Sequence, residues 1–190
     1  TDRDCFAKFP GLIESYDEME EYNLGTWEGN PLPMFAGIIT GISVKDINLY
    51  GEGSINGCAN HENWWKNEKV MVGAFRPRML VLNHCENVNV QGLYFHDSPA
   101  WVIHPYFSNQ LRFCDLLVEN PKQSPNTDGL DPESCKNVEI LGVHFSLGDD
   151  CIAVKSGKIY MGRKYKTPAE NTHICHCLME NGHGAVTVGS

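Results

Sequence analysis

Apolar and polar residues alternate in short runs along this chain. "NVNVQGLYF" (87–95) and "NVEILGVHF" (137–145) place apolar side chains at every second position, the period of a strand with one buried face. The two stretches agree at Asn87/Asn137, Val88/Val138, Gly92/Gly142 and Phe95/Phe145. "DINLYG" (46–51) and "NTHICHCLM" (171–179) are weaker copies, and "NQLRFCDLLV" (109–118) reads as a further one. No long segment carries the 3.6-residue spacing of an amphipathic helix. The copies run in one direction at steps of 22 residues (87 to 109), 28 (109 to 137) and 34 (137 to 171). Each step fits one turn of a coil, the longer ones carrying inserted loops, so the pattern predicts an all-β parallel β-helix, a solenoid. A sandwich or barrel of hairpins would need tight turn pairs between oppositely running neighbours, which the repeats do not supply. The expected organisation is a β-helix over 36–190, incomplete at both ends, preceded by a loop-rich segment of the same domain over 1–35.

A second set of copies carries the chemistry. "DGLDPES" (128–134), "DCIAVKS" (150–156) and "GAVTVGS" (184–190) share their final serine and a central apolar position. Stacking them places Asp128, Asp150 and Gly184 at one level, and Thr127, Asp149 and His183 at the next. Neighbouring parallel strands lie about 4.8 Å apart, so Asp128 and Asp150 become immediate neighbours, with Asp149 beside them and His183 one turn on. Residues 149 and 150 of a regular strand face opposite ways. Their convergence requires a bend, which Gly148 permits. Carboxyls this close resist joint ionisation, so at least one is expected to have a raised pKa, giving an acid and a base in one place. A structural ladder of Asx turns and a calcium site on the three aspartates are the competing readings.

The formal net charge of −9 excludes a general nucleic-acid or anionic-membrane binder, and no apolar run is long enough to span a bilayer. Against that background, the stretch between Cys151 and Ala169 contains no acid, yet carries Lys155, Lys158, Arg163, Lys164 and Lys166 with Tyr160 and Tyr165. A basic loop leaving the coil beside the acid cluster suits an anionic sugar, its cations pairing with a carboxylate and its tyrosines stacking on the ring. A solvated loop is the plain alternative. Trp64, Trp65 and Trp101 read equally as sugar platforms or as buried stacking aromatics. The eight cysteines, including "CHC" at 175–177 with His173 nearby, read as buried strand thiols rather than a metal site, since zinc sites show a CxxC-type pair and a matching second pair.

"NTDGLDPES", "GDDCIAVKSG" and "GHGAVTVGS", in that order, closely resemble the motifs of the polygalacturonase family of glycoside hydrolases, family 28, which cleave pectin on a right-handed parallel β-helix. "GEGSINGCANHENWW" (51–65) and "SPAWVIH" (98–104) are similar to further family segments, with Asn56 where Asp is usual. The resemblance covers about residues 36–190, and "VKSGK" and "VTVGS" are more similar to bacterial members, including exo-acting ones. It implies hydrolysis of α-1,4-linked galacturonic acid with inversion and without a cofactor or metal. Asp149 would be the general acid, Asp128 and Asp150 the activators of the attacking water, and His183 an assistant in the acid network. Asn126, Lys155, His104, Arg163 and Lys164 are the candidate substrate-binding residues, His104 by the resemblance. The implied partner is a pectic poly- or oligosaccharide. The family's Arg-Ile-Lys motif after the histidine coil is not reached, so the chain is expected to be an internal piece of a longer protein. A calcium-dependent pectate lyase, a non-catalytic carbohydrate-binding β-helix and a hydrolase of rhamnogalacturonan or xylogalacturonan are the alternatives.

Overall fold

A computed structural model describes residues 24–189. Fifteen of its strands alternate with turns in a repeating order of three per coil, and the coils stack in parallel register into a right-handed β-helix with three faces. The first face holds β3 (Ile39–Ile42), β6 (Leu80–Asn83) and β9 (Ile103–Tyr106). It continues through bridges at Leu130 and Glu133 to β14 (Ile152–Val154) and β17 (Val186–Val188). The second face holds β4 (Lys45–Tyr50), β7 (Glu86–Gln91), β10 (Asn109–Cys114), β12 (Lys136–Leu141) and β15 (Glu170–Cys175). The third holds β5 (Ser54–Asn56), β8 (Tyr94–His96), β11 (Leu117–Glu119), β13 (His144–Ser146) and β16 (Leu178–Asn181). The alternation seen in sequence explains the core. Val88, Leu111 and Val138 form one inward ladder, and Phe95, Val118 and Phe145 another, all of them buried.

The register corrects one alignment. Leu111 pairs with Val88 and Val138, so the equivalent of Asn87 and Asn137 is Gln110 rather than Asn109. The two asparagine copies misled because Asn109 looks like them, whereas the backbone sorts by conformation. Asp46, Asn87, Gln110, Asn137 and Asn171 all have φ between 53° and 58°, the left-handed corner that joins the first face to the second. Short polar side chains hold that corner, as in the donation from Asn171 Nδ2 to Asn137 Oδ1 (3.1 Å).

Two segments leave the coil and matter for function. A hairpin of β1 (Thr26–Trp27) and β2 (Asn30–Pro31) lies over the outer side of the first face. Residues 1–23 of the expected N-terminal segment lie outside the described residues. The basic stretch after β14 folds into a short helix, α1 (Tyr160–Tyr165), where a loop was expected. Trp64 and Trp65 are buried with Ala59 and Phe35 in a small satellite core, so the stacking reading holds for them. No helix among the described residues is long and apolar enough to cross a membrane.

Candidate active site

The three seven-residue copies stack as the sequence indicates, with Leu130 paired to Ile152 and Ile152 to Val186. That register sets Asp128, Asp150 and Gly184 at one level. Gly184 accepts the Cys151 N–H (2.8 Å), and Asp150 accepts the Gly129 N–H (2.9 Å). The chain bends at Gly148, where a Cβ would lie 2.2 Å from the Ser124 carbonyl, so only glycine allows that approach. The bend turns Asp149 back beside its neighbour, and one carboxylate oxygen each from Asp128, Asp149 and Asp150 lie within 4.8 Å of one another. These are the one group of potential metal-ligating side chains found among the described residues, and "CHC" is not part of it. His183 places Nδ1 3.2 Å from Asp149 Oδ1 while most of its side chain stays in solvent.

Burial separates the acids. Asp149 and Asp150 are half-buried, but Asp128 is 5% exposed. Desolvation pushes the Asp128 carboxyl up to about 6, with Lys155 pulling the other way and Asp149 adding repulsion. The raised carboxyl expected from crowding is therefore Asp128, and removal from water contributes more to it than the neighbouring charges. Lys155 is itself buried. Its ammonium lies 3.7 Å from Asp128 Oδ2, 3.6 Å from Asp131 Oδ1 and 4.4 Å from the centre of the Trp101 ring. Burial works against that cation, and Asp131 and Asp128 outweigh it, so its pKa stands above the ordinary lysine value.

The outer row of the first face holds residues that the sequence reading passed over. Asp131 and Glu133 alternate with inward Leu130 and lie, with His104, entirely or almost entirely out of solvent. Burial drives the Asp131 carboxyl well above its usual value. His104 Nε2 donates to Glu133 Oε2 (2.9 Å), which also accepts from Thr26 Oγ1 (2.5 Å). Desolvation lowers the His104 pKa, so a neutral imidazole faces an ionised carboxylate. His104 has no accessible surface and stands in the wall beneath the hairpin, joined to Thr26 through Glu133. Above it, the Arg78 guanidinium stands 4.1 Å from the Trp101 ring and 5.4 Å from Trp27, and Nη2 donates to the Thr26 carbonyl (2.9 Å). Arg76 donates to the carbonyls of Pro99 and Pro125 (2.8 Å each) and to Asn126 Oδ1 (2.7 Å). Asn126 thus spends its carbonyl on shaping the turn before Asp128. Lys155, buried among acids, is likewise placed as a partner of the carboxylates rather than on the accessible surface. Arg163 and Lys164 are exposed on α1, past the C-terminal end of the strand whose beginning carries the acids. The missed signal was the period itself, since acids at 131 and 133 lie two apart, on the face opposite Leu130.

The family model described as "Glycosyl hydrolases family 28" matches residues 20–190. A probable polygalacturonase of Vitis vinifera is 31% identical over 154 residues, covering 80% of this chain and 31% of that protein. An endo-polygalacturonase of Pectobacterium carotovorum subsp. carotovorum is 30% identical, covering 80% and 39%. Among solved structures, a hyperthermoactive exopolygalacturonase from Thermotoga maritima matches with a TM-score of 0.77 at 26% identity, over 88% of this chain and 46% of that one. A family 28 exopolygalacturonase of Yersinia enterocolitica shares the fold at 17% identity and a TM-score of 0.78, over 100% and 39%. The chain spans about a third of the length of the curated relatives it matches.

Proposed function

Because this chain belongs to family 28 of the glycosyl hydrolases, we propose that it carries the acid cluster of an enzyme that hydrolyses α-1,4-linked galacturonic acid in pectic poly- or oligosaccharides. The observation that carries this reading is the convergence of Asp128, Asp149 and Asp150 within 4.8 Å from two successive coils, with His183 reaching Asp149 from a third. Glycoside hydrolysis needs one protonated carboxyl at the departing oxygen and one ionised carboxylate to activate water. Asp149 is the acid in this scheme. His183 holds its oxygen, and its half-exposed position gives it access to a bound chain. Asp128 and Asp150 orient and deprotonate the water. The Lys155 ammonium stabilises the ionised form of Asp128 that this task demands. Arg163 and Lys164 supply exposed positive charge for the uronate chain.

The test is to treat polygalacturonate with the intact protein and follow reducing ends and the ultraviolet absorbance of unsaturated product together, with Asp149→Asn as control. Reducing ends rising without absorbance, and lost in the variant by about a thousandfold or more, is the expected outcome. Absorbance rising instead, with loss on chelation, would replace the hydrolase with a calcium-dependent lyase that uses the same three carboxylates as cation ligands. Stereochemistry has its own reading. The nearest carboxylate oxygens lie within 4.8 Å, closer than the roughly 6.5–9.5 Å usual between an inverting pair. Inversion therefore rests on family membership, and proton NMR of the first-formed product decides it: the β-anomer is expected, and the α-anomer would assign retention.

A further inference from the structure

A second cleft, of about 570 Å³, opens between the hairpin and helix α1, walled by Trp27, Asn30 and Leu32 on one side and Tyr160 on the other. We propose that it is a sugar-binding subsite, distinct from the acid cluster, that holds a galacturonate residue of the chain whose scissile linkage lies among the three aspartates. The proposal rests on the hydrolase reading above and locates a part of the substrate that the reading leaves unplaced.

The cleft is built rather than incidental. Trp27 stacks on Trp101 with centroids 5.6 Å apart and planes 15° from parallel, and the Arg78 guanidinium makes cation–π contacts with both rings. An indole anchored in that way is a rigid platform, and rigid aromatic surface binds at low entropic cost. The opposite wall is clamped to it. A Cβ on Gly29 would lie 2.0 Å from the Gly157 carbonyl, so the hairpin tip and the loop after β14 meet backbone to backbone. The Met161 N–H donates to the Gly29 carbonyl (3.1 Å), and Lys158 Nζ pairs with Glu28 at 2.6 Å. Tyr160, 44% exposed, is thereby held opposite Trp27.

Charge and continuity name the occupant. The lining acid, Glu28, is neutralised by Lys158, and the segment that supplies Tyr160 contains no acid from Cys151 to Ala169 while carrying Arg163 and Lys164 in the last turn of α1. An anionic pyranose fits that surplus, its apolar face on the indole, its hydroxyls within reach of polar Asn30, and its carboxylate toward the helix cations. The platform is also joined to the chemistry. Trp27 rests on Trp101, Trp101 on the Lys155 ammonium, and Lys155 on Asp128.

The experiment is calorimetric titration of the intact protein in an Asp149→Asn background, where ligand is bound but not consumed, with hexagalacturonate and digalacturonate. Tyr160→Ala is expected to weaken hexagalacturonate about tenfold, about 1.4 kcal/mol, and digalacturonate by less than about twofold. Tyr160→Phe, which keeps the ring, is expected to retain the affinity and shows that α1 tolerates substitution there. Equal losses on both lengths, or no loss on either, would overturn the subsite while leaving the hydrolase reading intact. A fully methyl-esterified hexamer binding as tightly as the free acid would overturn the uronate assignment. Absence of binding to both galacturonides with Tyr160 in place would sink the hydrolase reading, and the subsite with it.

Discussion

Asp128 shows what the site costs. Its carboxyl ionises at about 6 in the folded chain against an ordinary 3.8, with burial the leading cause. The folded state holds that proton more tightly than the unfolded one, so stability falls as pH rises through this window, by of order 3 kcal/mol. Asp128→Asn is therefore expected to melt higher than the parent at about pH 7 and equally at about pH 4, while losing turnover. A gain of the same size at both pH values would show that charge burial is not its source. Lys155 is the largest opposing influence on Asp128, so Lys155→Met is expected to raise the Asp128 pKa further and move the acidic limb of the kcat/KM profile to higher pH. An unmoved limb would remove Lys155 from the control of that carboxyl. The aspartates were readable because strand spacing alone brings 128 and 150 together. The burial of Lys155 was not, since a lysine heading a basic run reads as solvated. Only the tertiary stack of Trp101 and the hairpin seals it.

At the scale of elements, the site depends on one bend and one hairpin. Gly148 approaches Ser124, whose hydroxyl lies 2.6 Å from Thr127 Oγ1, and that hydroxyl of Thr127 in turn accepts the Gly148 N–H at 3.2 Å. The loop before Asp128 and the bend before Asp149 thus position each other. Gly148→Ala must push them apart, and it is expected to cost about 1–3 kcal/mol in a chemical melt and to lower kcat more than it raises KM. A variant with the parent's kcat would show that the bend does not set the carboxylate geometry. The glycine was legible because neighbouring strand residues cannot otherwise share a face. The hairpin was not. Residues 24–35 repeat nothing in the chain, and what fixes them, Thr26 on Glu133 and Trp27 on Trp101, joins positions far apart in sequence. Its one local signal was "WEG", an aromatic beside a glycine and an acid, which fits many turns.

For the whole molecule, repetition made the fold readable and also governs its stability. Each coil contacts its neighbours through matched ladders, so stabilisation is close to a sum of nearest-neighbour terms rather than one global core. Among the described strands of the second face, β7, β10 and β12 have a partner on each side, whereas β4 and β15 each have one. Amides of β7, β10 and β12, paired on both sides, are accordingly expected to exchange hydrogen slowly. Phe145 sharpens the test. It is wholly buried between Val118 and Met179, and Phe145→Ala removes about 3–5 kcal/mol of packing. In a nearest-neighbour solenoid that loss speeds exchange in β11, β13 and β16 well before it reaches β5. Uniform acceleration across all coils would mean that the molecule opens as a single unit, and that the acid cluster borrows its rigidity from the whole stack rather than from the two coils that carry it.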